Sequence, residues 1–82
     1  MAHYFFHLRD GVDILLDQEG RDIEAADIER HALEEARAII ADDAKGGRIL
    51  LDQRIDVENA SGTIVLTLQF GDAVHIRFPT VS

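Results

Sequence analysis

The side chains with chemistry to offer in this 82-residue chain are four histidines and a scatter of carboxylates. His3 and His7 stand four apart near the start, and Asp13 and Asp17 stand four apart just beyond them. On an extended strand four residues span about 13 Å. Two imidazoles that must each approach a metal to about 2 Å cannot share one ion across that gap. The remaining reading pairs His7 with Asp13 and His3 with Asp17 across a hairpin, on either side of Phe5 and Leu15. Exposed pairs of this kind contribute roughly 0.2–1 kcal/mol. The functional version of the same pairs is a metal-bridged or pH-sensitive contact between copies. His31 and His75 are expected to be solvated.

Other motifs fail on spacing. The acidic stretch Asp17, Glu19, Asp22 and Glu24 invites a calcium loop, but setting the invariant glycine at Gly20 puts Leu15 first and Ala26 last, where a carboxylate is required. Gly46-Gly47-Arg48 lacks the phosphate-loop pattern and follows a helix instead of opening one. Ser61 falls in a hairpin loop and Ser82 ends the sequence, with no histidine beside either. The absence of cysteine removes thiol nucleophiles, disulfides and cysteine metal sites together. No catalytic residue, cofactor site or metal site is therefore assigned, and the expectation is a protein that is not an enzyme.

Sixteen acids against eight lysines and arginines give a net charge of −8 and a pI near 4.7. Binding nucleic acid depends on cations that displace phosphate counterions, so an acidic chain starts at a disadvantage, as it does at an anionic membrane. The arginines are scattered singly. No run approaches the ~20 apolar residues that span a bilayer, and the opening residues do not read as a signal segment. The cytoplasm is the default.

These residues need elements to position them. Ala2–Leu8 and Val12–Leu16 are apolar runs on either side of Asp10-Gly11. A three-residue loop, Arg9-Asp10-Gly11, sets Leu8 against Val12, Phe6 against Ile14 and Tyr4 against Leu16, giving one wholly apolar face. The other face then carries His3, Phe5, His7, Asp13, Leu15 and Asp17. A one-residue slip would exchange the faces. Residues 53–58 and 63–70 form a second hairpin around a four-residue loop, with Val57 against Ile64 and Ile55 against Leu66. Its reverse face is mostly polar, with Val65 an exception.

Between the hairpins, about Ile23–Ala44 reads as a helix with Asp22 as N-cap and Gly46 as its stop. Ala25, Ile28, Ala32, Ala36 and Ile39 share one stripe, flanked by Leu33 and Ile40. Gly71–Phe78 is compatible with a helical turn capped by Asp72, but the alternation of Val74, Ile76 and Phe78 favours a strand-like segment over a sheet edge. The expected fold is α+β in two layers: an antiparallel sheet of four strands or five with one amphipathic helix on one face, in the order β-β-α-β-β. Residues 1–78 form a single domain and 79–82 a tail.

The opening Tyr4-Phe5-Phe6-His7-Leu8-Arg9-Asp10-Gly11 resembles the start of a family of small uncharacterised proteins common in alphaproteobacteria, a domain of unknown function. Asp17-Gln18-Glu19-Gly20, Ala32-Leu33-Glu34-Glu35-Ala36-Arg37 and Val65-Leu66-Thr67-Leu68-Gln69-Phe70 extend the likeness to about Ile76. The stretch from Gly20 to Ala32 is slightly shorter than the family pattern and lacks its usual proline, which leaves the helix start open. The resemblance implies the ββαββ order and a bacterial cytoplasmic setting, and carries over no catalytic or ligand residue.

The functional expectation is a non-catalytic interaction module, acting as a homodimer or with another protein, for which the acidic charge favours a basic one, through the open sheet face or a sheet edge. The face centres on Phe5 and Leu15, joined by Val65, with His3, His7, Asp13 and Asp17 around them; an apolar centre in a polar rim is the form of a modest interface. One alternative is a single-stranded nucleic-acid-binding domain, since aromatics on an open sheet stack bases. Another is a metal-dependent activity at the His–Asp pairs.

Overall fold

In the computed structural model, residues 1–80 are described. The chain runs β1 (Ala2–Arg9), β2 (Ile14–Leu15), β3 (Arg21–Ile23), a 3-10 turn (Ala25–Asp27), α1 (Ile28–Lys45), β4 (Arg54–Asn59), β5 (Ile64–Gln69) and a short α2 (Phe70–Ala73). The strands form one antiparallel sheet in the order β2-β1-β4-β5, and β3 joins β1 on the edge that β2 also occupies. The architecture is α+β, as expected.

The fifth strand is β3, not Val74–Phe78. Arg21–Ile23 was expected to lead into a helix capped by Asp22, but the segment pairs with β1 instead, His3 against Asp22 and Ala2 against Ile23. That pairing buries Ile23 and satisfies backbone groups along three residues, which outweighs one N-cap hydrogen bond. Helical structure starts after the extended Glu24. At the far end Gly47, rather than Gly46, takes the left-handed conformation, with φ +87°.

The core follows strand alternation and helical spacing. Tyr4 and Phe6 of β1, Ile55 and Val57 of β4, and Ile23 pack with Ala32, Ala36 and Ile40 of α1 and with Phe70 and Ala73 of α2. Small alanines at i and i+4 let the helix approach the sheet closely, and Phe70, fully buried, supplies the bulk. Phe70 does so from a helical turn rather than from the end of β5. Its N–H donates to the carbonyl of Gln53, which fastens α2 to the start of β4.

Both hairpin registers differ from the expected ones. β1 and β2 pair Arg9 with Ile14 and Leu8 with Leu15, leaving Asp10–Asp13 between them. The Asp10 carboxylate accepts the N–H groups of Val12 and Asp13, and the turn closes between Arg9 and Ile14 instead of between Leu8 and Val12. The shift is three residues, an odd number. β2 therefore presents the opposite faces to those expected, while Tyr4 and Phe6 still point inward. In the second hairpin Val57 pairs with Leu66 and Ile55 with Leu68, a shift of two that preserves the faces of Leu66–Gln69, but a bulge at Val57/Glu58 sets Ile64 opposite Glu58 instead of on the inner face.

After α2, Val74–Thr80 runs without helix or strand pairing. Of the proposed tail at 79–82, Val81 and Ser82 lie outside the described residues. No helix among the described residues is long and apolar enough to cross a membrane.

Candidate interaction site on the open face and sheet edges

Alternation along β1 sends His3, Phe5, His7 and Arg9 to the face away from the helix. The rings form a row: His3 meets Phe5 edge-on at 5.0 Å, and Phe5 lies parallel to His7 at 6.3 Å. Across the sheet, β4 sets Glu58 beside Phe5, Asp56 beside His7 and Arg54 beside Arg9.

The row is more enclosed than an open face would be, because Leu16–Gly20 folds along the β1 edge between β2 and β3. Asp17 is the residue that fastens it. Its Oδ2 accepts the N–H of Phe6 and its Oδ1 that of Gly20, each at 3.0 Å. Burial pushes the Asp17 carboxyl up, but the N–H groups of Phe6, Gly20 and Glu19 outweigh it and hold the group below its ordinary value. The N–H of Asp17 donates to His7 Nδ1 at 3.1 Å. That nitrogen must carry its lone pair, so the proton sits on Nε2, which faces Glu58 Oε1 at 3.4 Å. His7 is left only 7% exposed.

His3 is held differently. Its Nδ1 lies 2.7 Å from Asp22 Oδ1 and its Nε2 2.7 Å from the Glu19 carbonyl. Two acceptors call for two protons, and the bond to Asp22, followed by that to Glu19, raises the His3 pKa above its ordinary 6.5. Gly20 makes this approach possible. A Cβ there would stand 2.6 Å from His3 Nε2 and 2.7 Å from the Tyr4 carbonyl oxygen, and its φ is +67°.

The third cluster surrounds Asp56, which is buried. Arg9 Nε approaches its Oδ2 at 2.6 Å off the N–H axis, an ion pair rather than a directed hydrogen bond. The Thr67 hydroxyl donates to Oδ1 at 2.8 Å. Arg54 Nε reaches Oδ2 at 3.5 Å.

Of the residues expected to share the face, His3, Phe5 and His7 do so, and Asp17 reaches them through its loop. The predicted partners are exchanged. Asp22 takes His3, while His7 has the Asp17 backbone and Glu58 in place of Asp13. Asp13 remains in the turn, its N–H on Asp10. Leu15 sits opposite Leu8 on the helix side of the margin, and Val65 lies on β5, two strands from β1. The single apolar centre of Phe5, Leu15 and Val65 does not form. Arg9, Asp22, Asp56 and Glu58 were missed. Alternation alone marks Asp56 and Glu58 as sharing one face of β4, but nothing local says that β4 lies beside β1.

Beside His7 and Glu58 is a shallow depression of about 380 Å³ that Phe5, Leu16 and Gln18 also line. No serine or threonine nucleophile lines it, and both His7 nitrogens are engaged. Among the described residues no three His, Asp or Glu side chains converge as a metal-ligand set.

Exposed apolar surface lies at the sheet edges instead. On one margin Ile14, Leu15 and Leu16 are 51%, 69% and 57% exposed. On the other, β5 reads Ile-Val-Leu-Thr-Leu-Gln without a charge, and Ile64 and Val65 are exposed.

A family model, described as a domain of unknown function (DUF6894), matches residues 3–71. No curated protein and no solved structure matches the chain.

Proposed function

The chain belongs to the family of the domain of unknown function DUF6894, and we propose from its geometry that it is a non-catalytic module that self-associates through the edges of its sheet. One observation carries this reading: among the described residues β5 closes one side of the sheet as an edge strand without a charge, while on the other side the exposed Ile14 and Leu15 of β2 stand beside the charged β3. Edge strands of soluble proteins are ordinarily guarded by charge, proline or a covering element, and an unguarded edge is a template for another chain. The open face supports the reading less, because its polar groups are consumed by internal pairs and Phe5 is half-buried between two histidines. The setting that accompanies this reading is the bacterial cytoplasm.

Sedimentation equilibrium of the full chain tests it. A dimer is expected, unchanged in mass for Phe5→Asp on the open face; a strict monomer at high concentration overturns the reading.

Single-stranded nucleic-acid binding has less support, since the open face offers Phe5 alone as a stacking ring on a chain of charge −8. The metal-dependent alternative loses its proposed pairs, because Asp13 stays in the turn and His3 is bonded through both nitrogens.

A further inference from the structure

We propose that Val74–Phe78 of one copy adds as an antiparallel strand to the free edge of β5 in a second copy, an inference that rests on the self-association reading and names its contact.

Among the described residues the segment pairs with no strand, and beyond Val74, which packs against the chain's own core, it is exposed. Val74 is extended, at φ −136° and ψ 155°. Val74, Ile76 and Phe78 alternate with His75 and Arg77, so one side is apolar and the other cationic or titratable. Ile76 is 44% and Phe78 82% exposed. Five residues with backbone donors precede Pro79, which has none. The Cα radius of gyration, 14.2 Å, exceeds the ~12 Å of a compact chain of this length. That excess accords with a segment leaving the body.

β5 offers the matching edge: six uncharged residues, paired on one side by β4 and unpaired on the other. Leu66 and Leu68 on its helix side are only half-buried. An antiparallel register that sets Ile76 beside Leu66 and Val74 beside Leu68 extends their apolar row over the helix layer. His75 then falls beside Thr67 on the other face. Charge favours contact between this segment and the body of another copy, without selecting the edge. From Val74 to Ser82 there is one arginine, one histidine and no acid, whereas the rest of the chain holds seven lysines and arginines against sixteen acids.

The chain's own β5 is not the acceptor. Ala73 is buried in the core, and its carbonyl accepts Arg37 Nε of α1 at 2.8 Å. Val74 packs against that same core, and no residue from Val74 to Thr80 pairs with the chain's own β5.

The test uses the full chain in sedimentation equilibrium, with circular dichroism as the check on folding. Ile76→Asp and Ile76→Pro are expected to weaken the dimer at least about tenfold, with the spectrum unchanged, and Leu15→Asp is expected to leave it intact. Because the chain has no cysteine, mixing a Thr67→Cys chain with a His75→Cys chain gives a clean crosslink, and a disulfide-linked heterodimer is expected. A dimer that survives both Ile76 variants and gives no such crosslink overturns the strand addition while leaving self-association standing. A monomeric wild type overturns both.

Discussion

The carboxylate of Asp17 accepts the backbone N–H of Phe6 at 3.0 Å and so provides, from a side chain, a rung on the β1 edge that falls between β2 and β3. The same carboxylate holds the N–H of Gly20, which makes Asp17 the clasp of the loop that covers His7. Asp17→Ala leaves two N–H groups without this acceptor and is expected to cost about 1–3 kcal/mol in urea denaturation. An unchanged midpoint would show that the loop is held by something else.

Gly20→Ala is expected to destabilise the protein by about 1–3 kcal/mol, because it combines a left-handed backbone with a Cβ that collides with His3 Nε2 and the Tyr4 carbonyl. The Tyr4 oxygen is backbone and cannot swing aside. Thermal unfolding measures the effect; wild-type behaviour would contradict the close packing of loop on strand.

His3 makes part of the stability depend on pH. Its pKa is raised in the folded state, so the protonated ring's contribution is fully present below about 6.5 and is lost as pH rises through the raised value. The stability difference between wild type and His3→Gln, followed by denaturation from mildly acid to mildly alkaline solution, is expected to shrink as pH rises. A difference that does not change with pH would contradict the double hydrogen bond to Asp22 and Glu19.

Two phenylalanines should respond oppositely to truncation. Phe70 is fully buried and Phe78 is 82% exposed. Phe70→Ala is expected to cost about 3–5 kcal/mol; Phe78→Ala is expected to leave monomer stability within about 0.5 kcal/mol and to weaken association. Equal losses of stability in urea would show that Phe78 belongs to the core.

The alternation of Tyr4, Phe6, Ile55 and Val57 and the stripe through Ala32 and Ala36 made the two layers and the inner faces readable from the chain. Local pattern is strong where burial enforces it. The β2 register was not readable, because Ile14, Leu15 and Leu16 are all exposed and burial gives no preference between faces. Turn chemistry decided instead, through the Asp10 carboxylate. β3 was hidden because Arg21–Ile23 is too short to show a period, and the placement of β4 beside β1 depends on contacts about fifty residues apart. Hence His3, Phe5 and His7 were found together, while Asp22, Asp56 and Glu58 were not.

The most direct measurement is amide hydrogen exchange at high and low protein concentration. The account predicts that protection of Ile64–Gln69 and Val74–Phe78 rises together as the chain is concentrated, while β1 and β4 stay constant. Protection in both segments that is independent of concentration would contradict it.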